Sequence, residues 1–234
     1  MARSRAARCA STTTTDSGLF ITFEGPEGSG KTTQVRLLHA HLQSQGLHVV
    51  LTREPGGTPI GEMVRQILLS PRHAEMAPET EFLLFSAARA QHVRQVIAPQ
   101  LADGAVVLCD RFADSSLAYQ GYARGLDLAQ LLTITRFATG GLAPDITFYF
   151  DLDVRLGIQR KQRDDAPLDR LDAQALDFHE RVRRGYLELA AQAPERWVVL
   201  DAAQATETVQ SHLRRHVATR LFARKRGPTS QEGA

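Results

Sequence analysis

Gly25-Pro26-Glu27-Gly28-Ser29-Gly30-Lys31-Thr32 is the stretch that decides the fold. It fits G-x-x-x-x-G-K-[ST], the phosphate-binding P-loop. The apolar, β-prone run Leu19-Phe20-Ile21-Thr22-Phe23 precedes it and predicts a buried strand. Behind it Val35, Leu38 and Leu42 recur at helical spacing, with Gly46 placed to end that helix. In such a strand–loop–helix setting, glycines let backbone N–H groups turn inward toward phosphate. The helix N-terminus adds unsatisfied donors and partial positive charge. Lys31 is expected to neutralise β- and γ-phosphate oxygens, and the Thr32 hydroxyl to ligate Mg²⁺. The expected ATP contacts are Gly25, Pro26, Glu27, Gly28, Ser29, Gly30, Lys31, Thr32 and Thr33.

The chain has 234 residues, enough for one α/β domain with a sizeable core. A net charge of +2 gives no strong case for a nucleic-acid or membrane partner. No run approaches the roughly 18 apolar residues that span a bilayer. Cys9 and Cys109 lie far apart in different settings, which argues against a disulfide and fits a reducing, cytoplasmic compartment. Residues 1–17 carry Arg3, Arg5 and Arg8 and then a Ser/Thr run. They read as a flexible leader, with an organellar transit peptide as the alternative. Residues 224–234 read as a disordered tail, and 18–223 as the folded domain.

Strand candidates alternate with helical stretches at Leu19–Glu24, His48–Arg53, Ala105–Asp110, Ile146–Asp151 and Trp197–Leu200. That rhythm predicts a five-stranded parallel sheet with helices on both faces, a three-layer α/β/α fold of the P-loop NTPase type. Ligands gather beyond the C-terminal strand ends in such folds, so Glu24, Arg53, Asp110 and Asp151 are expected around one cleft. Asp110 ends an apolar strand as a Walker B carboxylate does, and is the second expected Mg²⁺ ligand. Arg53 reads as an arginine gripping a second anion, with a solvated Arg53–Glu54 pair as the alternative. A helix from about Pro78 to Ala98 puts Phe85 and Arg89 on one face, a ring to stack on a flat base and a fork to donate to it. Apolar residues on more than one face of that helix suggest burial against a partner. Ser116 and Tyr119, three apart, are placed to meet a base edge or sugar. Arg155 to Asp172 is dense in charge and contains Asp164-Asp165-Ala166-Pro167, which predicts a mobile, arginine-bearing lid.

From about Leu19 to Phe222 the chain resembles bacterial thymidylate kinases. The P-loop is generic. Thr52-Arg53-Glu54-Pro55-Gly56-Gly57-Thr58, Leu84-Phe85-Ser86-Ala87-Ala88-Arg89, Asp110-Arg111-Phe112 with Ala118-Tyr119-Gln120-Gly121, and Leu168-Asp169-Arg170 are far more specific. The resemblance implies that ATP–Mg²⁺ phosphorylates dTMP to dTDP, in a homodimer. It places Glu27 near the acceptor sugar and phosphate, Phe85 on thymine, Arg89 at a thymine oxygen, and Arg53 and Arg111 at the acceptor phosphate. Ser116, Tyr119 and Gln120 fall at the base edge and sugar, with Tyr119 a filter against a ribose 2′-hydroxyl. Phe112 is given no chemical role. The P-loop holds no arginine, so the resemblance points to a catalytic arginine on the lid: Arg160, Arg163 or both.

The acceptor phosphate is mostly dianionic near neutrality, its second pKa lying near ~6, so no general base is needed. The expected catalytic set is Lys31, Arg53, Arg111 and a lid arginine, which neutralise two converging anions. Two rival readings are a kinase for another nucleoside monophosphate and a P-loop nucleotide switch. No guanine-reading Asn-Lys-x-Asp segment supports the switch.

Overall fold

The computed structural model describes residues 18–163 and 169–225. The expected leader, the Asp164-Asp165-Ala166-Pro167 part of the lid, Leu168 and residues 226–234 of the expected tail lie outside the described residues. The chain runs β1 (Leu19–Glu24), α1 (Lys31–Ser44), β2 (Val49–Arg53), α2 (Pro59–Leu69) and α3 (Pro78–His92). A π-helical turn, Val93–Ile97, joins α3 to the short α4 (Ala98–Ala102). Then come β3 (Val106–Asp110), α5 (Ala113–Ser116), a second π-helical segment Leu117–Ala123, and α6 (Leu128–Thr139). β4 (Ile146–Asp151), α7 (Val154–Arg163), α8 (Leu176–Gln192), β5 (Trp197–Asp201) and α9 (Thr206–Lys225) follow.

The strands form a parallel sheet in the order β2-β3-β1-β4-β5. The chain leaves β1 to one side for β2 and β3, and later goes to the other side for β4 and β5. A ligand crevice belongs at the carboxyl ends around such a reversal. Alternation along β1 builds the layers. Leu19, Ile21 and Phe23 pack with Val35, Leu38 and Leu42 of α1 and with Val209, Leu213 and Val217 of α9. Phe20 faces the opposite layer, against Val93, Ile97, Val107 and Phe112. Both faces of β1 are thus dry, which is why its sequence is apolar throughout.

Local chemistry sets the helix starts. Thr58 caps α2, its Oγ1 accepting from the Gly61 N–H at 2.9 Å, and Pro59 fills the first turn where its missing N–H costs nothing. Asp127 caps α6 by accepting from the Gln130 N–H at 2.8 Å, and Gly140 ends it in the left-handed region. The helix expected to run unbroken from Pro78 to Ala98 changes geometry at Val93. Pro99 has no N–H to close an α-helical bond to Gln95, and the chain widens into the π turn just before it. The C-terminal helix extends to Lys225, so Arg224, read as the first tail residue, is helical and its guanidinium pairs with Asp145. Cys109 is buried.

Close approach also joins α7 to the P-loop. A Cβ on Gly28 would sit 2.3 Å from the Gly157 carbonyl oxygen, and one on Gly157 would sit 2.7 Å from the Glu27 carbonyl oxygen. Two glycines therefore let the first half of the lid lie directly on the phosphate loop.

Candidate active site

Two cavities adjoin at the carboxyl ends of β1, β2 and β3. The wider, of about 400 Å³, is lined by Glu27 through Thr33 together with Arg53, Asp110 and Arg111. The narrower, of about 90 Å³, is lined by Phe85, Ser115, Ser116, Tyr119 and Gln120, with Asp169, Asp172 and His179. Glu27, Glu54, Arg65 and Arg111 line both and form the wall between them.

In the wider cavity Lys31 is nearly buried and bends back over the loop, its Nζ donating to the Gly25 and Pro26 carbonyls at 2.8 Å each. Burial, and then the charge of Arg111, lower its pKa from the ordinary lysine value. The Thr32 hydroxyl donates to Asp110 Oδ2 at 3.4 Å, so the two expected metal ligands meet. Among the described residues no cluster of three His, Cys, Asp or Glu side chains could hold a metal ion. One carboxylate and one hydroxyl are the sparse, all-oxygen set that suits Mg²⁺ completed by phosphate and water.

Arg111 is the central group. Its backbone sits at φ 68°, the one non-glycine residue among those described with positive φ, a conformation that costs energy and needs surrounding support. Support comes from its N–H donating to the Phe23 carbonyl at 2.9 Å. Its guanidinium donates to Glu27 Oε1 at 2.6 Å and, more loosely, to the Ser115 and Tyr186 hydroxyls at 3.5 and 3.4 Å. The same guanidinium lies 5.4 Å from the centre of the Tyr119 ring. Burial pushes the Tyr119 hydroxyl up to about 12 despite Arg111. Desolvation would raise the Glu27 carboxyl, but Lys31 and Arg111 outweigh it and hold it well below the usual carboxylate range.

Arg53 and Glu54 do not pair with each other. Arg53 stays half exposed and binds Glu62 at 2.9 Å, while Glu54 turns inward. Glu54 Oε2 accepts from Arg89 Nε at 2.8 Å, and its other oxygen faces His92 Nδ1 at 3.4 Å. Arg89 is almost fully buried, and its Nη2 donates to Ser116 Oγ at 3.1 Å and to the Phe112 carbonyl at 3.3 Å. Its Nη1 is buried with no hydrogen-bond partner among the described residues. Phe112, given no chemical role from sequence, serves through its backbone: its N–H donates to Glu24 Oε1 at 2.8 Å.

Two of the expected strand-end residues stand away from the cavities. Asp151 is paired with Arg183 at 2.7 Å, because β4 lies on the far side of β1 from β2 and β3. Glu24 is fully buried and is the support for the other residues. It accepts from Phe112 N–H, from Ser115 Oγ at 2.5 Å and from Tyr186 OH at 2.8 Å. Arg160 donates to the Gly28 and Ala202 carbonyls at 3.4 and 3.2 Å, against the P-loop. Arg163 is exposed at the last turn of α7 and makes no hydrogen bond or ion pair with the described residues. Arg65 and His179 were not anticipated. Arg65 sits three residues after Glu62, the partner of Arg53, and that spacing puts both on one face of α2. His179 has no local signal and reaches the cavity only through the packing of α8.

The sequence model of the thymidylate kinase family matches residues 23–213. The chain belongs to the thymidylate kinase family. A thymidylate kinase of Roseiflexus castenholzii is 56% identical over 207 residues, which cover 83% of this chain and 90% of that protein. One from Pseudomonas putida is 55% identical over 194 residues, covering 83% and 92%. The crystal structure of thymidylate kinase from Ehrlichia chaffeensis superposes with a TM-score of 0.69 at 34% identity, covering 86% of this chain and 98% of that one.

Glu24 gives this site a measurable pH signature. Desolvation, and then the nearby Asp114 charge, raise its carboxyl from the ordinary value to about 7, against the lowering effect of Arg111, Ser115 and Tyr186. The folded state therefore holds a proton that the unfolded chain releases at lower pH. The stability from that proton is complete below the usual carboxylate range and is lost as pH rises through about 7. Glu24→Gln removes this loss, since the Ser115 and Tyr186 hydroxyls can each donate or accept. Thermal unfolding from pH 5 to 8 should show the stability of Glu24→Gln rising relative to wild type, by on the order of 3 kcal/mol at the upper end. Parallel pH profiles would contradict this.

Proposed function

We propose that this thymidylate kinase family member transfers the terminal phosphoryl group of ATP to dTMP, giving ADP and dTDP. The observation that carries the proposal is the shared wall. Glu27, Glu54, Arg65 and Arg111 separate a P-loop cavity from a cavity lined by an aromatic ring and an amide. Two nucleotides entering from opposite sides would meet phosphate to phosphate at Arg111.

On this reading the P-loop N–H groups and Lys31 bind the ATP phosphates, with Lys31 exchanging the Gly25 and Pro26 carbonyls for phosphate oxygens. Thr32 and Asp110 would hold Mg²⁺, which supplies positive charge to the phosphoryl group in transfer. Arg53, Arg65 and Arg111 hold the acceptor phosphate in line, so that repulsion between the anions is offset before reaction. Phe85 stacks on the pyrimidine, and Arg89 offers its unpaired Nη1 to a base carbonyl. Ser116 orients Arg89 by accepting its Nη2 hydrogen bond, and Tyr119 packs below the sugar. The cytoplasm is the proposed working place, on the basis of cysteine usage that fits a reducing compartment.

The lid arginines divide the work. Arg160, tied to the Gly28 carbonyl, steadies the donor side. Arg163 has no such tether among the described residues and is the arginine proposed to close on the transferred group. A homodimer is also proposed. Ile60, Met63 and Ile67 on α2, Leu83 on α3, and Leu132 and Phe137 on α6 are exposed, Phe137 to 89%, on helices packed side by side. A second copy would cover that apolar surface.

Lys31→Ala should lower kcat by at least about 10²–10³, as loss of a preorganised charge does, while circular dichroism stays native. Arg89→Ala should raise KM for dTMP far more than KM for ATP, and equal rises would rule out base reading. Arg163→Ala should lower kcat with both KM values nearly unchanged, whereas Arg160→Ala should raise KM for ATP. The reverse pattern would exchange their roles. Light scattering should give twice the chain mass for wild type and one chain mass for Leu83→Glu. A monomeric wild type would refute the dimer.

A further inference from the structure

Beside the narrow cavity another buried carboxylate holds one of the side chains that line it. Glu81, in the first turn of α3, is fully buried and lines neither cavity. Its Oε1 accepts from Gln120 Nε2 at 2.6 Å and from Arg124 Nε at 3.5 Å. Its Oε2 accepts from Arg124 Nη2 at 3.2 Å and pairs with Arg170 Nη1 at 2.6 Å. Arg170 is held on the end of α2 as well, through its Nε to the Leu68 carbonyl at 2.9 Å and its N–H to the Leu69 carbonyl at 3.1 Å. Three segments distant in sequence thus converge on one carboxylate: the start of α3, the π-helical segment bearing Gln120 with Arg124 directly after it, and Arg170 near the end of the expected lid.

The consequence lies in the Gln120 amide. An ionised carboxylate can only accept hydrogen bonds, so only the NH₂ end of the amide can face Glu81. The Oε1 end is turned the other way. Gln120 Oε1 is buried and without a hydrogen-bond partner among the described residues, and Gln120 lines the narrow cavity beside Phe85, Ser116 and Tyr119. A buried acceptor left unpaired carries a cost of about 1–3 kcal/mol, and a ligand N–H relieves it. Thymine and uracil carry an N–H at N3. Cytosine carries a bare acceptor nitrogen there, and two acceptors facing each other repel.

We propose that Glu81 is the positioning residue for acceptor choice: by holding the NH₂ end of the Gln120 amide, it presents only an acceptor oxygen to the base and so admits a ring N–H and rejects a ring nitrogen. The proposal rests on the reading of the narrow cavity as the dTMP site. It adds a carboxylate that touches no nucleotide, and it explains why a glutamine, whose two ends differ little in shape, reads the base in one sense. The pairing of the same carboxylate with Arg170 anchors the lid-end segment to the base pocket.

The test compares two substitutions in the full chain. In Glu81→Gln the new amide can donate, so Gln120 is free to turn over and present its NH₂ end to the base. In Glu81→Asp the shorter side chain still only accepts, so the Gln120 orientation is kept even where stability falls. Steady-state kinetics with ATP and either dTMP or dCMP should show the dTMP-to-dCMP ratio of kcat/KM falling at least about tenfold in Glu81→Gln, the size of one misdirected hydrogen bond. The change should appear in acceptor KM, with KM for ATP unmoved. The ratio in Glu81→Asp should stay near wild type. Equal losses for both acceptors in Glu81→Gln would show a purely structural role and overturn the proposal. A collapsed ratio in Glu81→Asp would overturn it too, and that arm remains decisive should Glu81→Gln not fold. A wild-type enzyme that uses dCMP as readily as dTMP would overturn the cavity reading itself, and this proposal with it.

Discussion

Like charges must be held together before any anion arrives, and that constraint shapes the cleft. Lys31, Arg53, Arg65 and Arg111 line one cavity, and burial and neighbouring cations lower the pKa of both Lys31 and Arg65. Each cation is given a temporary partner. Lys31 rests on loop carbonyls, Arg53 on Glu62, Arg65 on the Pro55 carbonyl at 3.0 Å, and Arg111 on Glu27. On the proposed function, these partners are what phosphate oxygens would replace. Cations held in place in advance would lower the reorganisation that two converging phosphate groups demand.

Behind the cations lie three buried carboxylates, Glu54 in the wall between the cavities and Glu24 and Glu81 outside the lining of either. Glu24 fixes the turn after β3 through Phe112 and Ser115, and with it the unusual backbone of Arg111. Glu54 holds Arg89, and Glu81 holds Gln120 and Arg170. Breaking such a buried pair is costly because the remaining charge stays buried, so these groups fix geometry even where they add little net stability. On the proposed function, affinity and charge stabilisation fall to one set of residues, and precision to the carboxylates that hold them.

Much of this was legible in the chain. The bounds of β1 and β4 matched their apolar runs, because strands dry on both faces leave a continuous signal. Glu27 to Thr33, Asp110, Phe85, Tyr119 and Gln120 each line one of the two cavities, whereas Gly25, Pro26, Arg89, Arg160 and Arg163, also read as site residues, line neither. Strand order was not legible, and it is what removed Asp151 from the cleft. Nor could sequence tell that Glu54 would abandon Arg53 for Arg89 thirty-five positions away, since nothing local distinguishes a solvated pair from a buried one. Arg65 and His179 depend on how α2 and α8 pack over the sheet, a property of tertiary contacts alone.

The central claim is that two adjoining sites bring ATP and a thymine nucleotide together at Arg111. ADP release measured with ATP, Mg²⁺ and dTMP, dUMP, dCMP, dGMP or AMP in turn tests it most directly. Near-background release without an acceptor and the highest kcat/KM with dTMP are expected. Release that is independent of acceptor, or fastest with AMP or dGMP, would contradict it.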